Sequence, residues 1–441
     1  MSHTIDLAAK KKTMPDVSTF PFTVTEHIID GQHIREYPDA TSVSQDVPLK
    51  LVLKKYAPVD NPNPQPGDVT IIGAHGCGFP KEVYEPLWED LLARSQQDGY
   101  RIRAIWIADV ANLGASGVQN ESNLGNDPSW FDHGRDLLYM INKFRDEMPR
   151  PIVGVGHSMG AGQLVLLSLL HPRLLTSLTL IEPVIAPDMF TGKGPLLSIV
   201  SLKRRDTWKS RSAAIEAARK AHKIWDERVL ERWIRHAYRD LPTTSAQGDP
   251  VTLTSSKYQE VLQYLRPNPV GHKPTGQEDN LAVGPPPDPL LYADIIGPPH
   301  ATSPFYRYEP ILAWKLMKHV RPPVHYVLGS KSPISYPEAR TNILNRTGTG
   351  VGGSGGVKAM RVKQTILKGT HQLPLEKVGE TAASVGPWIS QTVQRWKEDE
   401  ARIAERWAQR PIDERLKSMV DWVPTLQAMI DPDPQRKNSK L

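Results

Sequence analysis

The chain has 441 residues, 39% hydrophobic and 23% charged, and no apolar run approaches the roughly 18 residues of a membrane-spanning helix, which excludes a helical membrane protein. Lysine and arginine total 54 against 48 acidic residues, and they lie scattered among the acids, so the formal charge of +6 leaves no basic stripe for nucleic acid. The single cysteine, Cys77, excludes an internal disulfide and any metal site of paired thiols, and fits a reducing, intracellular compartment.

Residues 1–20 carry Lys10-Lys11-Lys12 but no apolar h-region, so they are expected to be a disordered leader and not a secretory signal. Between 21 and 182, short β-rich runs alternate with helical periodicity, the pattern of βαβ units around a mainly parallel sheet. The expected strands are Phe22–Ile29, Lys50–Tyr56, Val69–Ala74, Ile102–Ala108, Ile152–Gly156 and Leu175–Ile181. Helices are expected over Tyr84–Arg94, Trp130–Arg145 and Met159–Leu170, the second opened by a capping box, Ser129-Trp130-Phe131-Asp132. Residues 183–309 break this rhythm with amphipathic helices and proline-rich loops such as Gly284-Pro-Pro-Pro-Asp-Pro289, a helical cap or lid inserted into the core. Its Arg and Lys residues suit either a solvated face or phosphate contacts. The core resumes over 310–397 with strands Val324–Gly329 and Val362–Leu367, and 398–441 forms a C-terminal helical tail. The stretch Trp396 to Trp422 suits either covering the core or pairing two subunits in a homodimer.

The chemistry concentrates at Gly156-His157-Ser158-Met159-Gly160, an apolar strand running into a helix. Such a turn lifts a serine Oγ above the sheet, and the helix start offers the Met159 amide to a developing oxyanion. A second amide is expected at Cys77, in the glycine-rich turn His75-Gly76-Cys77-Gly78 that ends an earlier strand. A Cys77 thiolate beside His75 is the competing nucleophile, on a less defined stage than Ser158. His371, in the loop after the last strand, is the expected general base, while His157 is expected to pack beneath the turn. The orienting acid is less determined. Val327–Ser335, which follows the preceding strand, holds no carboxylate, so Glu182 at the end of the strand after the nucleophile helix is favoured, with Asp188, Asp109 and Glu338 as alternatives. The order Ser, Glu, His is that of the α/β-hydrolase fold. Gly348-Thr-Gly-Val-Gly-Gly353 matches GxGxxG but precedes a strand, which is wrong for a dinucleotide site; it is expected to be a flexible loop near the mouth of the site. No cofactor motif and no metal-ligand cluster is found.

The chain ends Ser439-Lys440-Leu441, the address read by the peroxisomal import receptor, so the expected location is the peroxisomal matrix. Together with His75–Glu82, Ile105-Trp-Ile-Ala-Asp109, Gly156-His-Ser158, Glu182-Pro183 and Gly352-Gly-Ser-Gly-Gly356, this tripeptide makes the chain resemble fungal peroxisomal α/β-hydrolases of secondary metabolism. Those include an acyl-CoA hydrolase of mycophenolic acid biosynthesis and hydrolases of host-selective toxin clusters. The resemblance covers about Phe20 to Leu375. It implies hydrolysis of an acyl-CoA thioester by Ser158, His371 and the acid at 182, where the metabolic enzyme carries aspartate and this chain glutamate. Alternatives are a peroxisomal lipase or carboxylester hydrolase, an acyltransferase or cyclase on the same scaffold, or a non-catalytic binding or scaffold protein that keeps the fold.

Overall fold

The computed structural model describes residues 20–187, 194–241, 250–267, 288, 290–291, 305–415 and 422–430. In chain order its strands are β1 (Phe22–Asp30), β2 (Lys50–Pro58), β3 (Val69–Ala74), β4 (Ile102–Ala108), β5 (Ile152–His157) and β6 (Ser177–Ile181), followed by five short ones. These are β7 (Thr207–Trp208), β8 (Tyr238–Asp240), β9 (Val251–Leu253), β10 (Arg266–Pro267) and β11 (Phe305–Tyr306); β12 (Val324–Gly329) and β13 (Val362–Leu367) complete the set. The helices up to the cap are α1 (Glu85–Ser95), α2 (Gly114–Asn120), α3 (Trp130–Lys143) and α4 (Met159–Leu170). The cap carries α5 (Gly194–Lys203), α6 (Arg211–Ala221), α7 (Glu227–His236) and α8 (Lys257–Tyr264). After it come α9 (Glu309–Leu316), α10 (Pro337–Arg346), α11 (Leu373–Glu376), α12 (Val378–Ala408) and α13 (Trp422–Ile430).

Eight strands form one sheet in the order β1-β2-β4-β3-β5-β6-β12-β13. The pairs β1–β2 and β2–β4 are antiparallel and the rest parallel. Strands β3, β5, β6 and β12 are buried along their whole length, as continuous Val/Ile/Leu-rich runs must be when helices cover both faces. The edge strand β1 shows the opposite pattern, mostly exposed. Helix α4 is apolar all round and buried over ten residues, with Leu164, Val165, Leu166 and Leu167 at or near zero exposure. Each such side chain is worth about 1.5–3 kcal/mol when fully removed from water, which fixes α4 against the sheet.

The chain runs from β3 out to β4 and returns to pair β5 on the other side of β3. That reversal opens a crevice beyond the carboxyl ends of β3 and β5, the position at which open α/β sheets bind ligands. The turn after β3 holds Cys77 and the turn after β5 holds Ser158.

Ser129 caps α3 by accepting from the Phe131 amide, but the box is not reciprocal: Asp132 turns away and accepts from the Glu36 amide (3.0 Å) and from Gln32. Besides its helices, the cap holds a three-stranded ribbon, β7-β9-β8, and a two-stranded one, β10-β11, too short to register as periodicity. Side-chain oxygens of Ser210, Asp226 and Ser256 cap α6, α7 and α8. Many cap arginines are already paired with carboxylates. Arg228 meets Asp90 (2.7 Å), Arg232 meets Glu85 (2.5 Å), Arg239 meets Glu121, and Arg204 meets Glu260 (2.6 Å), so the first three fasten cap to core.

The chain divides into two compact units, Met1–Thr392 and Val393–Leu441. In the first, α12 carries an internal proline, Pro387, and its buried Trp388 donates to the Leu178 carbonyl of β6 (3.2 Å). The second holds the rest of α12, a short turn at Ile412–Glu414 and α13, whose Trp422, Val423, Leu426, Met429 and Ile430 are exposed. Residues 1–19 of the expected leader and Ser439, Lys440 and Leu441 lie outside the described residues. Among the described residues no helix is long and apolar enough to cross a membrane, and no group of metal-ligating side chains occurs.

Candidate active site

At the end of β5 the chain reverses at Ser158, whose φ of 55° and ψ of −118° are rare for a residue with a side chain. Such a backbone costs about 1–3 kcal/mol and persists only when its surroundings hold it. Here the Ser158 amide donates to the Ile181 carbonyl (2.9 Å), and its carbonyl accepts from the Val184 amide (3.2 Å). The flanking glycines serve close approach and leave the positive φ to the serine. A Cβ on Gly160 would lie 2.4 Å from the Ala74 carbonyl oxygen, and one on Gly156 would lie 2.8 Å from the Ala161 backbone. The start of α4 is thereby pressed against the end of β3.

The loop after β13 brings His371 to the same place. Its Nε2 lies 2.8 Å from Ser158 Oγ and its Nδ1 3.0 Å from Glu182 Oε2. A carboxylate only accepts, so Nδ1 carries the proton and Nε2 accepts from the serine hydroxyl. Ser158 is 7% exposed and Glu182 fully buried. Burial by itself raises the Glu182 carboxyl, but the His371 hydrogen bond and charge, with donors from Gly329 and Ser332, outweigh it and hold the group below its ordinary range.

Glu182 also has a positive φ, 49°, with its amide bonded to the Val327 carbonyl (3.0 Å). Four donors converge on its carboxylate: His371 Nδ1, the Gly329 amide (2.5 Å), Ser335 Oγ (2.8 Å) and Ser332 Oγ. The segment after β12, which holds no carboxylate, therefore supplies the hydroxyls that receive one. Ser332 and Ser335 were not legible as site residues, because only the fold places Glu182 above them. The alternative acids are elsewhere. Asp109 is bound to Lys81 Nζ (2.7 Å), Glu338 is exposed in the first turn of α10, and Asp188 lies outside the described residues.

In the turn after β3, His75 is buried with Nδ1 on the Gly76 carbonyl (2.9 Å) and Nε2 accepting from the Val110 amide (3.0 Å), which pins the glycine-rich segment. The Cys77 thiol points to the Glu260 carbonyl (3.5 Å), and burial together with the Glu260 charge pushes it well above its ordinary range. It stays protonated and makes a poor nucleophile. His157 packs beneath the turn with both ring nitrogens hydrogen-bonded, to Tyr84 Oη (2.8 Å) and to the His371 carbonyl (2.8 Å).

The cap leans on this constellation. Trp225 Nε1 donates to Gln372 Oε1 (2.7 Å) beside His371, the Asp226 amide donates to the Leu375 carbonyl, and Phe79 meets Trp225 and Trp233 edge-on. A separate small cavity lined by Val110, Ala111, Ser129, His133 and Gln259 includes none of Ser158, Cys77 and His371. The glycine-rich loop expected near the mouth is instead beside the N-terminal end of β12, away from the carboxyl ends that carry Ser158 and His371. Amides of Gly348, Gly350 and Ser354 bond the carbonyls of Met317, Lys318 and Val320, just before β12 begins. Serine, imidazole and buried carboxylate thus form one hydrogen-bonded chain, an arrangement able to deprotonate the hydroxyl.

Comparison with known proteins agrees with the motif resemblance. The model of the alpha/beta hydrolase family matches residues 71–383. A type I acyl-CoA thioesterase of Penicillium brevicompactum, mpaH, is 41% identical over 412 residues, covering 88% of this chain and 92% of that protein. An abhydrolase domain-containing protein of Alternaria alternata, AFT2-1, is 32% identical over 247 residues, 55% of this chain and 84% of its own length. In three dimensions, the peroxisomal alpha-beta-hydrolase Lpx1 of Saccharomyces cerevisiae superimposes with a TM-score of 0.64 at 18% identity, covering 96% of this chain and 99% of that one, and shares the fold. The sheet, the elbow at Ser158 and these matches together place the chain in the alpha/beta hydrolase family.

Proposed function

We propose that this protein is a serine thioesterase that hydrolyses acyl-CoA in fungal secondary metabolism, acting in the peroxisomal matrix through Ser158, His371 and Glu182. The observation that carries the chemistry is the unbroken hydrogen-bonded chain from Ser158 Oγ through His371 to Glu182. Support for the substrate class comes from the identity of about two residues in five, over nearly the whole chain, with proteins named as acyl-CoA thioesterases. The terminal Ser439-Lys440-Leu441 supports the location.

In the forward step His371 Nε2 takes the Ser158 proton as Oγ attacks the thioester carbon, and the oxyanion forms against the Met159 and Cys77 amides. Glu182 stabilises the imidazolium and holds its orientation. The carbon–sulfur bond breaks, the sulfur leaves as coenzyme A thiol with the proton returned by His371, and an acyl-serine ester remains. Water, deprotonated by the same imidazole, attacks that ester; the acid departs and the proton returns to Ser158.

The test is release of free thiol from short, medium, long and aromatic acyl-CoAs, comparing wild type with Ser158→Ala. Release from at least one class, lost in the variant, is the expected result. No release from any thioester, with turnover of oxygen esters, would move the protein to the carboxylester hydrolases; undiminished release by Ser158→Ala would remove the serine mechanism.

A further inference from the structure

The residue before Ser158 makes connections the mechanism above does not use. His157 ends β5 fully buried, with its ring between two loops that the reaction must hold in register. Its Nε2 is 2.8 Å from the His371 carbonyl, an acceptor only, so Nε2 carries the proton. Nδ1 is then an acceptor, and 2.8 Å away Tyr84 Oη donates to it. Tyr84 Oη in turn accepts from the Gly76 amide (2.8 Å), one residue before the amide of Cys77. Only one set of proton positions satisfies all three bonds: Gly76 N–H to Tyr84, Tyr84 O–H to His157 Nδ1, His157 Nε2–H to the His371 carbonyl. Burial, and then the neighbouring His371 charge, pull the His157 pKa down to about 3, which keeps the imidazole neutral as this pattern requires. The contact is tight on the Gly76 side too, where a Cβ would lie 2.9 Å from His157 Nδ1.

We infer that Tyr84 and His157 are a positioning pair that ties the turn bearing the Cys77 amide to the backbone of His371, setting the base and the oxyanion donor in register with Ser158. The inference rests on the serine mechanism proposed above and deepens it. Three segments far apart in sequence, the turn after β3, the end of β5 and the loop after β13, are joined by one directional chain of hydrogen bonds. An error of about 1 Å in such a constellation costs on the order of 100-fold in rate, so a link that removes slack acts on the transition state more than on substrate binding.

The experiment compares Tyr84→Phe, His157→Gln and His157→Leu with wild type and Ser158→Ala. The measurements are kcat, KM, thermal melting, and affinity for a trifluoromethyl ketone analogue of an acyl-CoA, whose hemiketal mimics the oxyanion. Tyr84→Phe removes one oxygen and is expected to lower kcat about 3- to 10-fold, the range for one neutral hydrogen bond, with KM unchanged and analogue affinity falling in parallel. His157→Gln keeps a donor toward the His371 carbonyl and is expected to retain more activity than His157→Leu, which keeps none. Wild-type kcat in both Tyr84→Phe and His157→Leu, or losses confined to KM or melting temperature, would overturn the pairing. Ser158→Ala separates the two claims: if it still releases thiol, the serine mechanism fails, whereas a dead Ser158→Ala beside fully active Tyr84→Phe and His157→Leu defeats this inference alone.

Discussion

Glu182→Gln changes one atom at the base of the proposed relay, and its consequence follows from the four donors around the carboxylate. An amide offers an oxygen on one side and an NH2 on the other. The Gly329 N–H, 2.5 Å from Oε1, belongs to the backbone and cannot become an acceptor, so the glutamine oxygen is expected to stay there, also accepting from Ser335 Oγ. The NH2 then faces Ser332 and His371 Nδ1. Ser332 can rotate its hydroxyl and accept. His371 can accept only by giving up its Nδ1 proton, which shifts the hydrogen to Nε2, where it faces Ser158 Oγ and leaves no lone pair to take the serine proton. Stabilising the wrong tautomer in a serine–histidine–acid relay lowers kcat by about 10⁴, which is about 5.5 kcal/mol in the barrier. Because the replacement is isosteric, the melting temperature should change little. The assay is kcat and kcat/KM for the preferred acyl-CoA by thiol release, with a melting curve alongside. Glu182→Asp is a useful companion: it keeps the charge but withdraws it by one methylene, and a loss of about 100-fold is expected. Activity of Glu182→Gln within tenfold of wild type would show that this carboxylate does not set the His371 tautomer.

Acid should destabilise the fold. Burial depresses the pKa of His75, His133, His157 and His325, the last two to about 3, so between roughly pH 6.5 and 4 the unfolded chain takes up protons that the native state refuses. Each such histidine removes up to about 1.4 kcal/mol per pH unit on acidification. Asp132, raised to about 7 mainly by burial, works in the opposite sense with Asp127 and Glu89, also raised by burial, but His222 and His236, lowered to about 4 by burial, add to the histidine side. Urea melts from pH 7.5 to 4.5 should show stability falling below pH 6.5, and a flat profile would refute the burial argument. Lys81→Met should cost about 3–5 kcal/mol, because Lys81 is fully buried with Nζ 2.7 Å from Asp109 and 3.0 Å from Glu82, and its loss leaves both carboxylates without it. A loss under about 1 kcal/mol in a urea melt would mean that other partners, such as Lys54 beside Glu82, suffice.

The eight strands of the sheet, the elbow at Ser158 and the place of His371 after the last strand were legible in the chain, because each rests on a local pattern: an apolar run, a glycine spacing, a helix start. Fold membership followed from those patterns in order. Features that depend on neighbours remote in the chain emerge only on folding. Glu182 is held beside His371 because Gly329, Ser332 and Ser335, 147 to 153 residues further on, surround its carboxylate, and no local pattern records that convergence. The glycine-rich loop lies at the N-terminal end of β12, away from the site, because its amides bond carbonyls just before that strand, and cap arginines that suited phosphates in the sequence were found paired with core carboxylates. His157, readable as a packed core residue, proved to bridge two loops 214 residues and 73 residues away from it. Periodicity reports which face of an element is buried; the partners of a buried polar atom are fixed only when distant segments close around it, since an unpaired polar group there is too costly to leave.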